Sequence, residues 1–482
     1  MTARTGKQYI EGLRDDRTVW LGNEKVDILS HPVFAGSIKG MAGYFDWQNE
    51  HADDCLVPDP ETGEPMSASL IVPKNADDLK RRHKAFDRFA RYSAGMLGRT
   101  PDYVNVTLAG FVARSDIFES RGDRTYSDRL KRFYREVVER DLSLTHTIIH
   151  PVVDKAIPDT QGINGELALK VVRRNKDSIV VRGAKILATL GPFADELFVY
   201  PGQPQPVGTN PDVLLAFSIP MNTKGLITLC RDHCGVTAPV GDRPFSSRFD
   251  EQDAFMIFDD VEIPNERVFI DGDLDVYNGL MRHGWAANIM QQTAIRAAVK
   301  LEFAYELCTR MARATNSEMR PDVAAMLGEL WGYATLTRSA IMAAEAGARD
   351  WGNGAFFCDD RPLRATRSMM PGWMVRANDC IKTIGSHNLL ATPSLDAIDN
   401  PEIGDLVRTF MPGANGMSAR ERATLFRTAW DFAGSALGGR VELYERFYLA
   451  SAPRNQALDH MMAQMERPWD EIPTLMKAAG VE

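Results

Sequence analysis

The sequence lacks the features that mark several specialised classes of protein. Its six cysteines are scattered, and only Cys230 and Cys234 lie close together, so a disulfide framework is excluded and a metal site has little support. No apolar run reaches the length of about 20 residues that spans a bilayer. The N-terminus has no apolar segment typical of a secretory signal. We therefore expect a cytoplasmic protein without a metal or a membrane partner.

An excess of positive charge is also missing. The chain has 56 Lys and Arg against 65 Asp and Glu, which gives a net charge of −9. Proteins that bind nucleic acid or anionic membranes usually carry a basic excess, so we expect neither partner. The 482 residues, of which 44% are hydrophobic, suffice for about three domains with a substantial core.

Helical periodicity marks the first third of the chain. Asn75 is a suitable N-cap, and the apolar residues after it recur at helical spacing, which predicts one buried helix face. These residues are Leu79, Phe86, Phe89 and Leu97. We expect residues 1–145 to form a mainly helical N-terminal domain.

The middle third changes to a β pattern. The runs Leu167–Val172 and Ser178–Lys185 flank the turn-like Arg174–Asp177 and predict a hairpin. Further strands follow without intervening helices, which indicates a compact antiparallel barrel or sandwich. We assign residues 146–278 to this central β-barrel domain.

Helical patterns return in the last third. An apolar stripe runs from Trp285 to Met311, Pro321 occupies a helix N1 position, and Ser418 and Glu421 form a capping box. We expect residues 279–482 to form a helical bundle that also carries an oligomerisation surface.

Three side chains indicate the chemistry of a phenol. Arg99 and Tyr103 lie on either side of the Thr100-Pro101 break, where a preceding helix is expected to end, and His146 follows in the next segment. A phenol titrates near about pH 10, so deprotonating it at neutral pH requires a base such as histidine and a stabilising cation. The alternative is a surface turn with a solvated arginine and a structural histidine.

Short motifs along nearly the whole chain carry a resemblance to a known family. They are Gly98–Tyr103, Thr145–Thr147, Gly183–Thr189, Ala194–Glu196, Pro244–Glu251, Phe258–Val261, Glu266–Phe269, Gly438–Arg440 and Leu443–Tyr448. Together with the α–β–α order, they resemble the 4-hydroxyphenylacetate 3-hydroxylase and halophenol monooxygenase family. The resemblance implies an α+β, acyl-CoA dehydrogenase-like fold. The wider family also includes 4-hydroxybutyryl-CoA dehydratase.

The resemblance further implies a two-component flavin monooxygenase. Its cofactor would be FAD, taken up as FADH2 from a separate NAD(P)H:flavin reductase, and its co-substrate would be O2. A homotetramer would hydroxylate a phenol ortho to its hydroxyl through a C4a-hydroperoxyflavin. Because the loop Pro201–Thr209 has no Ser or Thr before Thr209, the phenol stays open between a 4-hydroxyphenylacetate-like compound and a substituted or halogenated one.

The family's functional residues carry over by position. The resemblance implies that Arg99, Tyr103 and His146 contact the phenol and act in catalysis. Arg296 and Gly385 are further candidates, since this fold often borrows flavin-binding groups from a neighbouring subunit. The cofactor-binding residues implied are His146, Thr147, Ile148, Asp154, Lys155, Thr189, Gln292, Gly438, Gly439 and Arg440.

Other interpretations stay open beside this one. Thr189 has the alternative of being a plain strand threonine, and Gly438-Gly439 of being only a helix break. An acyl-CoA dehydrogenase or dehydratase on the same fold is the alternative function. The dehydratase needs cluster-ligating cysteines near Arg99, and none lies between Cys55 and Cys230. A dehydrogenase needs a carboxylate base and tightly bound FAD, and a non-catalytic flavin-binding protein needs no such set of polar groups.

Overall fold

Helices dominate the N-terminal part of the chain, which also contains two short antiparallel hairpins, β1–β2 and β3–β4. The computed structural model describes residues 3–99, 101–120, 122–447, 450–466 and 471–480, without the side chain of Met281. The elements here are α1 (Gly6–Gly12), β1 (Thr18–Leu21), β2 (Glu24–Val26), α2 (Ala35–Glu50), α3 (Ala52–Cys55), β3 (Leu56–Pro58), β4 (Pro65–Ser67), α4 (Ala76–Tyr92), α5 (Pro101–Ala113) and α6 (Thr125–Arg140).

Helix α4 begins where the sequence predicts. The Asn75 side chain accepts hydrogen bonds from the amides of Asp77 and Asp78, which satisfies two of the free N–H groups of the first turn. Its predicted apolar face is buried, but Leu97 lies beyond the helix. The helix ends at Tyr92 because Ala94 and Gly95 take positive φ values of 53° and 72°.

Two sheets form the middle of the molecule. Their strands are β5 (Leu144–Thr147), β6 (Lys170–Arg174), β7 (Ser178–Thr189), β8 (Glu196–Val199), β9 (Leu215–Pro220), β10 (Leu226–Cys230), β11 (Asp253–Pro264) and β12 (Val268–Asp271). The six-stranded sheet has the order β2-β1-β10-β11-β7-β6, and the four-stranded sheet has the order β12-β9-β8-β5. The predicted hairpin is confirmed as the antiparallel pair of β6 and β7.

The sheets differ in one respect from the antiparallel arrangement that the sequence predicts. Strand β1 pairs with β10 in parallel, and β5 pairs with β8 in parallel. Parallel neighbours need a long crossover connection, and local turn signals give no warning of it. Strands β1 and β2 thus join the central sheet although they lie in the part of the chain predicted to be mainly helical.

Long helices form the C-terminal part, as predicted. They are α7 (Leu274–Arg282), α8 (Trp285–Ala314), α9 (Pro321–Ala346), α10 (Asp360–Gly385), α11 (Asn388–Ala391), α12 (Leu395–Asp399), α13 (Gly404–Phe410), α14 (Ala419–Ala433), α15 (Ala436–Phe447), α16 (Ala452–Glu466) and α17 (Glu471–Ala478), with a small hairpin of β13 (Arg349–Asp350) and β14 (Phe356–Phe357). The capping box at Ser418 and Glu421 is present. In the described part of the chain, no helix is long and apolar enough to cross a bilayer.

The close packing of α2 gives a testable prediction. A Cβ built on Gly40 would lie 1.9 Å from the carbonyl oxygen of Arg248, so Gly40→Ala must displace backbone and should destabilise the fold by about 1–3 kcal/mol. A Cβ on Gly328, in α9, would meet no atom within 4 Å, and Gly328→Ala should add about 1 kcal/mol of stability. Urea unfolding of the two variants measures both signs, and equal effects would contradict the packing argument.

Candidate active site

Four predicted or neighbouring polar side chains form one stack. The Arg99 guanidinium lies 3.8 Å above the centroid of the Tyr103 ring. The Tyr103 ring stacks on His146, with centroids 5.4 Å apart and planes inclined by 26°. On its other side His146 faces the ring of Tyr200, also at 5.4 Å. The three predicted catalytic residues therefore meet, and the alternative of a solvated surface turn is wrong.

Three separate elements bring the stack together. Helix α5 begins at Pro101, so Tyr103 lies in its first turn, where a proline at the start fits the helix geometry. Strand β5 carries His146 and pairs in parallel with β8, which ends at Val199, one residue before Tyr200. Thr100, which lies between Arg99 and Pro101, is outside the described residues.

His146 is placed to act as a base. It is only 5% exposed, and burial first and the Arg99 charge second hold the pKa of its imidazole well below the ordinary value. The ring is therefore neutral at neutral pH, with one nitrogen free of a proton. Within the described ranges, no hydrogen bond occupies its ring nitrogens, so they are available to a ligand.

A buried ion network lies beside this stack. Arg440 donates from Nη1 to Glu251 Oε2 at 2.8 Å and from Nη2 to Asp253 Oδ1 at 2.6 Å. Glu251 Oε1 accepts the backbone N–H of Arg99 at 2.5 Å, and Asp253 Oδ1 accepts the hydroxyl of Thr189 at 2.7 Å. Arg440 thus positions two predicted site residues through the carboxylates. Glu251 holds the backbone of Arg99, and Asp253 holds the hydroxyl of Thr189.

The charges of this network determine what Thr189 can bind. Burial opposes ionisation of Asp253, but Arg440 and then Arg231 outweigh it, and its pKa lies below the ordinary value. Burial likewise opposes the charge of Arg440, but Asp253 and Glu251 raise its pKa. Because Asp253 is ionised and can only accept, Thr189 must donate its one hydroxyl proton to Asp253. Toward a ligand, the Thr189 oxygen can then only accept a hydrogen bond.

The segment after His146 contains four of the predicted cofactor-binding residues. Thr147 is buried and donates its hydroxyl to the carbonyl of Ile186 at 2.8 Å. Ile148 is half-buried, and its carbonyl oxygen accepts a hydrogen bond from Lys185 Nζ at 3.3 Å. Asp154 and Lys155 are exposed farther along the segment. Of this set, Asp154 and Lys155 have solvent-exposed side chains, and Asp154 Oδ1 accepts the backbone N–H of Ala156 at 2.8 Å.

The predicted Gly-rich turn at Gly438-Gly439 is wrong, because both residues lie inside helix α15. A Cβ on Gly438 would come 2.7 Å from the carbonyl oxygen of Phe432, so this glycine permits close helix packing. A Cβ on Gly439 would meet nothing within 4 Å, so the backbone there faces open space. Close packing therefore explains Gly438, while the approach of a cofactor to Gly439 stays a prediction.

The remaining candidates lie on α8 and α10. Gln292 is buried and donates to Asp102 Oδ2 at 2.7 Å. Arg296 donates to both oxygens of Glu445, at 2.8 and 2.9 Å, and a Cβ on Gly385 would contact Leu389. Gln292 and Arg296 therefore serve internal contacts within this subunit.

The cysteines do not group with other metal ligands. All six, including Cys230 and Cys234, are free thiols. Across the residues described above, no three His, Cys, Asp or Glu side chains form a group that could hold a metal ion.

Sequence reasoning missed several residues of this site. Tyr200, Glu251 and Asp253 were assigned no role, although Glu251 lies in one of the family motifs. Their partners are distant in the chain, as Arg440 is 189 residues from Glu251. The local signal is the group of acidic residues at 250, 251 and 253, where the apolar strand β11 begins. A carboxylate that is buried there needs a cationic partner.

Comparison with known proteins identifies the family. Residues 5–270 match the family model 4-hydroxyphenylacetate 3-hydroxylase N terminal, and residues 279–471 match 4-hydroxyphenylacetate 3-hydroxylase C terminal. The 4-hydroxyphenylacetate 3-monooxygenase oxygenase component of Geobacillus sp. (strain PA-9) is 34% identical over 458 residues, covering 94% of this chain and 92% of the relative.

Solved structures agree with this match. The crystal structure of the oxygenase component of 4-hydroxyphenylacetate 3-monooxygenase complexed with FAD and 4-hydroxyphenylacetate is 31% identical, with a TM-score of 0.91 and coverage of 99% of both chains. A 4-hydroxybutyryl-CoA dehydratase from N. maritimus shares the fold at 17% identity and a TM-score of 0.86, covering 100% of this chain and 95% of that one. The fold is acyl-CoA dehydrogenase-like, as predicted. On these matches, the chain belongs to the 4-hydroxyphenylacetate 3-hydroxylase family.

Proposed function

We propose that this chain is the oxygenase component of a two-component, FADH2-dependent monooxygenase that hydroxylates a phenol ortho to its hydroxyl group. The observation that carries the proposal is the stack of Arg99, Tyr103 and His146, with its neutral imidazole. In the reaction, one oxygen atom of O2 enters the ring, the other leaves as water, and FADH2 supplies two electrons.

The stack can prepare the phenol for attack. The neutral His146 accepts the phenol proton, and the Arg99 guanidinium stabilises the resulting phenolate in a site that is largely closed to water. Tyr103 orients the ring by its own hydroxyl. An ortho carbon of a phenolate is more electron-rich than that of a phenol, so proton removal favours the oxygen transfer.

The residues at the end of β7 fit a reduced flavin. Bound FADH2 supplies the oxygen-activating chemistry. Thr189 offers an oxygen that can only accept, which suits the N–H groups that a flavin carries in its reduced state. Leu187 is exposed two residues earlier, with a positive φ of 66°, and offers apolar surface to a ring system. We place Thr189, Thr147, Ile148 and the open side of Gly439 around the cofactor, with Asp154 and Lys155 at its outer end.

The alternative functions receive less support from the site. A dehydrogenase on this fold needs an unpaired carboxylate base. The carboxylates beside the stack, Glu251 and Asp253, are both bound to Arg440. A dehydratase needs cysteine ligands near Arg99, and the sequence has no cysteine between Cys55 and Cys230.

We infer three further properties of the enzyme. A separate NAD(P)H:flavin reductase supplies FADH2, and the free thiols suit a reducing cytoplasm. The enzyme is a homotetramer assembled through the C-terminal helical bundle, because α13, α16 and α17 expose large apolar side chains that a second copy would cover. These side chains are Leu406, Phe410, Met461, Met465, Ile472 and Leu475.

The test combines the protein with chemically reduced FAD, a panel of phenols and isotopically labelled O2. We expect an ortho-diol that carries one labelled oxygen atom from at least one phenol, including 4-hydroxyphenylacetate or a halogenated phenol. Oxidation of FADH2 to FAD with all of the O2 reduced to hydrogen peroxide, whichever phenol is present, together with FAD-dependent oxidation of an acyl-CoA, would overturn the proposal in favour of the dehydrogenase.

A further inference from the structure

Lys185 and His150 form a buried pair of basic side chains that has no part in the proposed chemistry. Lys185 on β7 and His150, three residues after β5, are 3% and 2% exposed. Lys185 Nζ lies 3.0 Å from His150 Nε2 and 3.3 Å from the carbonyl oxygen of Ile148. Two positive charges at this separation in an apolar interior would repel strongly, so the protonation of the pair must be specific.

The backbone determines that protonation. His150 Nδ1 accepts the N–H of Leu169 at 3.1 Å, and a backbone amide can only donate. Nδ1 therefore has no proton, and the single proton of the neutral ring lies on Nε2, which faces Lys185. An ammonium group has no lone pair to accept it. Lys185 must therefore be a neutral amine that accepts from His150 and donates to Ile148.

We propose that Lys185 is a positioning residue of the active site, which as a neutral amine holds Ile148 and the segment 149–169 against β7 and releases them on taking up a proton. The segment is attached to β7 at both ends, because Ile186 donates its N–H to the Ile149 carbonyl at 2.9 Å and Ala184 donates to Leu167 at 3.2 Å. The Lys185–His150–Leu169 chain ties these ends together from inside.

The pair reaches the catalytic stack through Ile148. Ile148 is two residues after His146, and a Cβ on Gly202 would lie 2.9 Å from its carbonyl oxygen. Gly202 follows two residues after Tyr200, the other neighbour of His146. Any shift of Ile148 therefore moves the backbone on both sides of the His146 ring.

The charged and titratable groups around the pair are few. Asp159 accepts hydrogen bonds from the His150 backbone N–H at 3.4 Å and from the Gln203 side chain at 3.2 Å. Burial, and then the charge of Asp159, raise the pKa of the Tyr277 phenol. On β11, the residue opposite Lys185 is the uncharged Met256. Burial lowers the pKa of Lys185 to about 7, against the attraction of Asp159, and burial followed by Lys185 lowers the pKa of His150 to about 2.

The sign of the pH effect follows from these groups. Between about pH 7 and about pH 10.5 an unfolded lysine binds a proton that the folded one does not, so this site makes the fold more stable as pH rises through that window. Below about pH 7 the amine is protonated in both states. An ammonium group cannot accept the Nε2 proton of His150, so either the His150–Lys185 bond is lost or the ring moves its proton to Nδ1 and loses the bond from Leu169.

Hydrogen–deuterium exchange of the protein without flavin tests the proposal independently of activity. After correction for intrinsic exchange, we expect peptides within 149–169 to be at least about tenfold better protected at about pH 8 than at about pH 6. Lys185→Met, which keeps the apolar stem, and Lys185→Arg, a permanent cation, should lose this protection at both pH values. Lys176→Met, in the exposed β6–β7 turn, should match the wild type.

The activity arm rests on the proposed function. The fraction of FADH2 oxidation that yields hydroxylated phenol should fall below about pH 7 in the wild type, and in Lys185→Met it should be several-fold lower without that pH dependence. Equal wild-type protection of 149–169 at both pH values would overturn the proposal, as would a Lys185→Met enzyme with the wild-type pH profile. If the wild type hydroxylates no phenol, the proposed function fails while the exchange result still decides the role of Lys185.

Discussion

His146→Phe should lower the rate of phenol hydroxylation by about 100-fold or more, because general bases contribute about 10²–10⁴ to catalysis. Phenylalanine keeps an aromatic ring between Tyr103 and Tyr200 but removes the proton acceptor. FADH2 oxidation should continue and yield hydrogen peroxide in place of product. The measurement is hydroxylated product per FADH2 consumed, under single-turnover conditions.

The pH profile distinguishes loss of a base from loss of structure. Above the lowered pKa of His146 the wild-type imidazole is neutral, so wild-type activity should be steady over the neutral range and fall in acid. In His146→Phe the solution must supply the phenolate, so the rate should rise about tenfold per pH unit toward the phenol pKa near about 10. A more acidic nitrophenol should be hydroxylated with a smaller loss.

A matched control is the exposed His387, since His387→Phe should leave activity unchanged. If His146→Phe lost activity equally with ordinary and acidic phenols at every pH, His146 would not be the base.

The lowered pKa of His146 also predicts that folding stability declines in acid, because below about pH 6.5 the unfolded histidine takes up a proton that the buried one does not.

Arg440→Met should destabilise the protein by about 3–5 kcal/mol, which is the usual loss when one partner of a buried ion network is removed. Glu251 would lose its cationic partner on α15, and Asp253 would keep Arg231 as a cationic partner, with Arg231 Nε 2.9 Å from Asp253 Oδ2. Urea unfolding measures the change. The Arg99 backbone and the Thr189 hydroxyl depend on these carboxylates, so hydroxylation should fall as well.

Two further variants make this test sharp. Arg310→Met removes an exposed pair in which Arg310 and Glu306 are 64% and 59% exposed, and should change stability by less than about 1 kcal/mol. Glu251→Gln keeps an oxygen for the Arg99 amide and removes one charge, so its loss should be smaller than that of Arg440→Met. An Arg440→Met protein as stable as Arg310→Met would show that the network is not what joins α15 to β11.

Local patterns in the sequence predicted much of this molecule. The cap at Asn75, the hairpin of β6 and β7, the helix start at Pro321 and the capping box at Ser418 all depend on residues within a few positions of one another. Such features are set by short-range hydrogen bonds and backbone preferences. The α–β–α order followed from the change of hydrophobic period along the chain.

The grouping of Arg99, Tyr103 and His146 was predicted from residue chemistry and family resemblance together. The structure adds Tyr200 to this group, since β8 pairs with β5 and brings Tyr200 against His146. The parallel pairing could not be read locally, because its strands are about 50 residues apart in the chain.

By itself, the sequence determined many of the helix and strand positions, the hairpin, the negative net charge and the set of polar groups suited to a phenol. The tertiary structure decided which charges meet: Arg440 with Glu251 and Asp253, and Lys185 with His150. The physical reason is that the protonation and partners of a buried polar group depend on everything packed around it, and most of that surrounding comes from distant parts of the chain. Gly438-Gly439 shows the same limit, since a pair that favours a turn locally lies inside helix α15, where Gly438 packs closely against the backbone of Phe432.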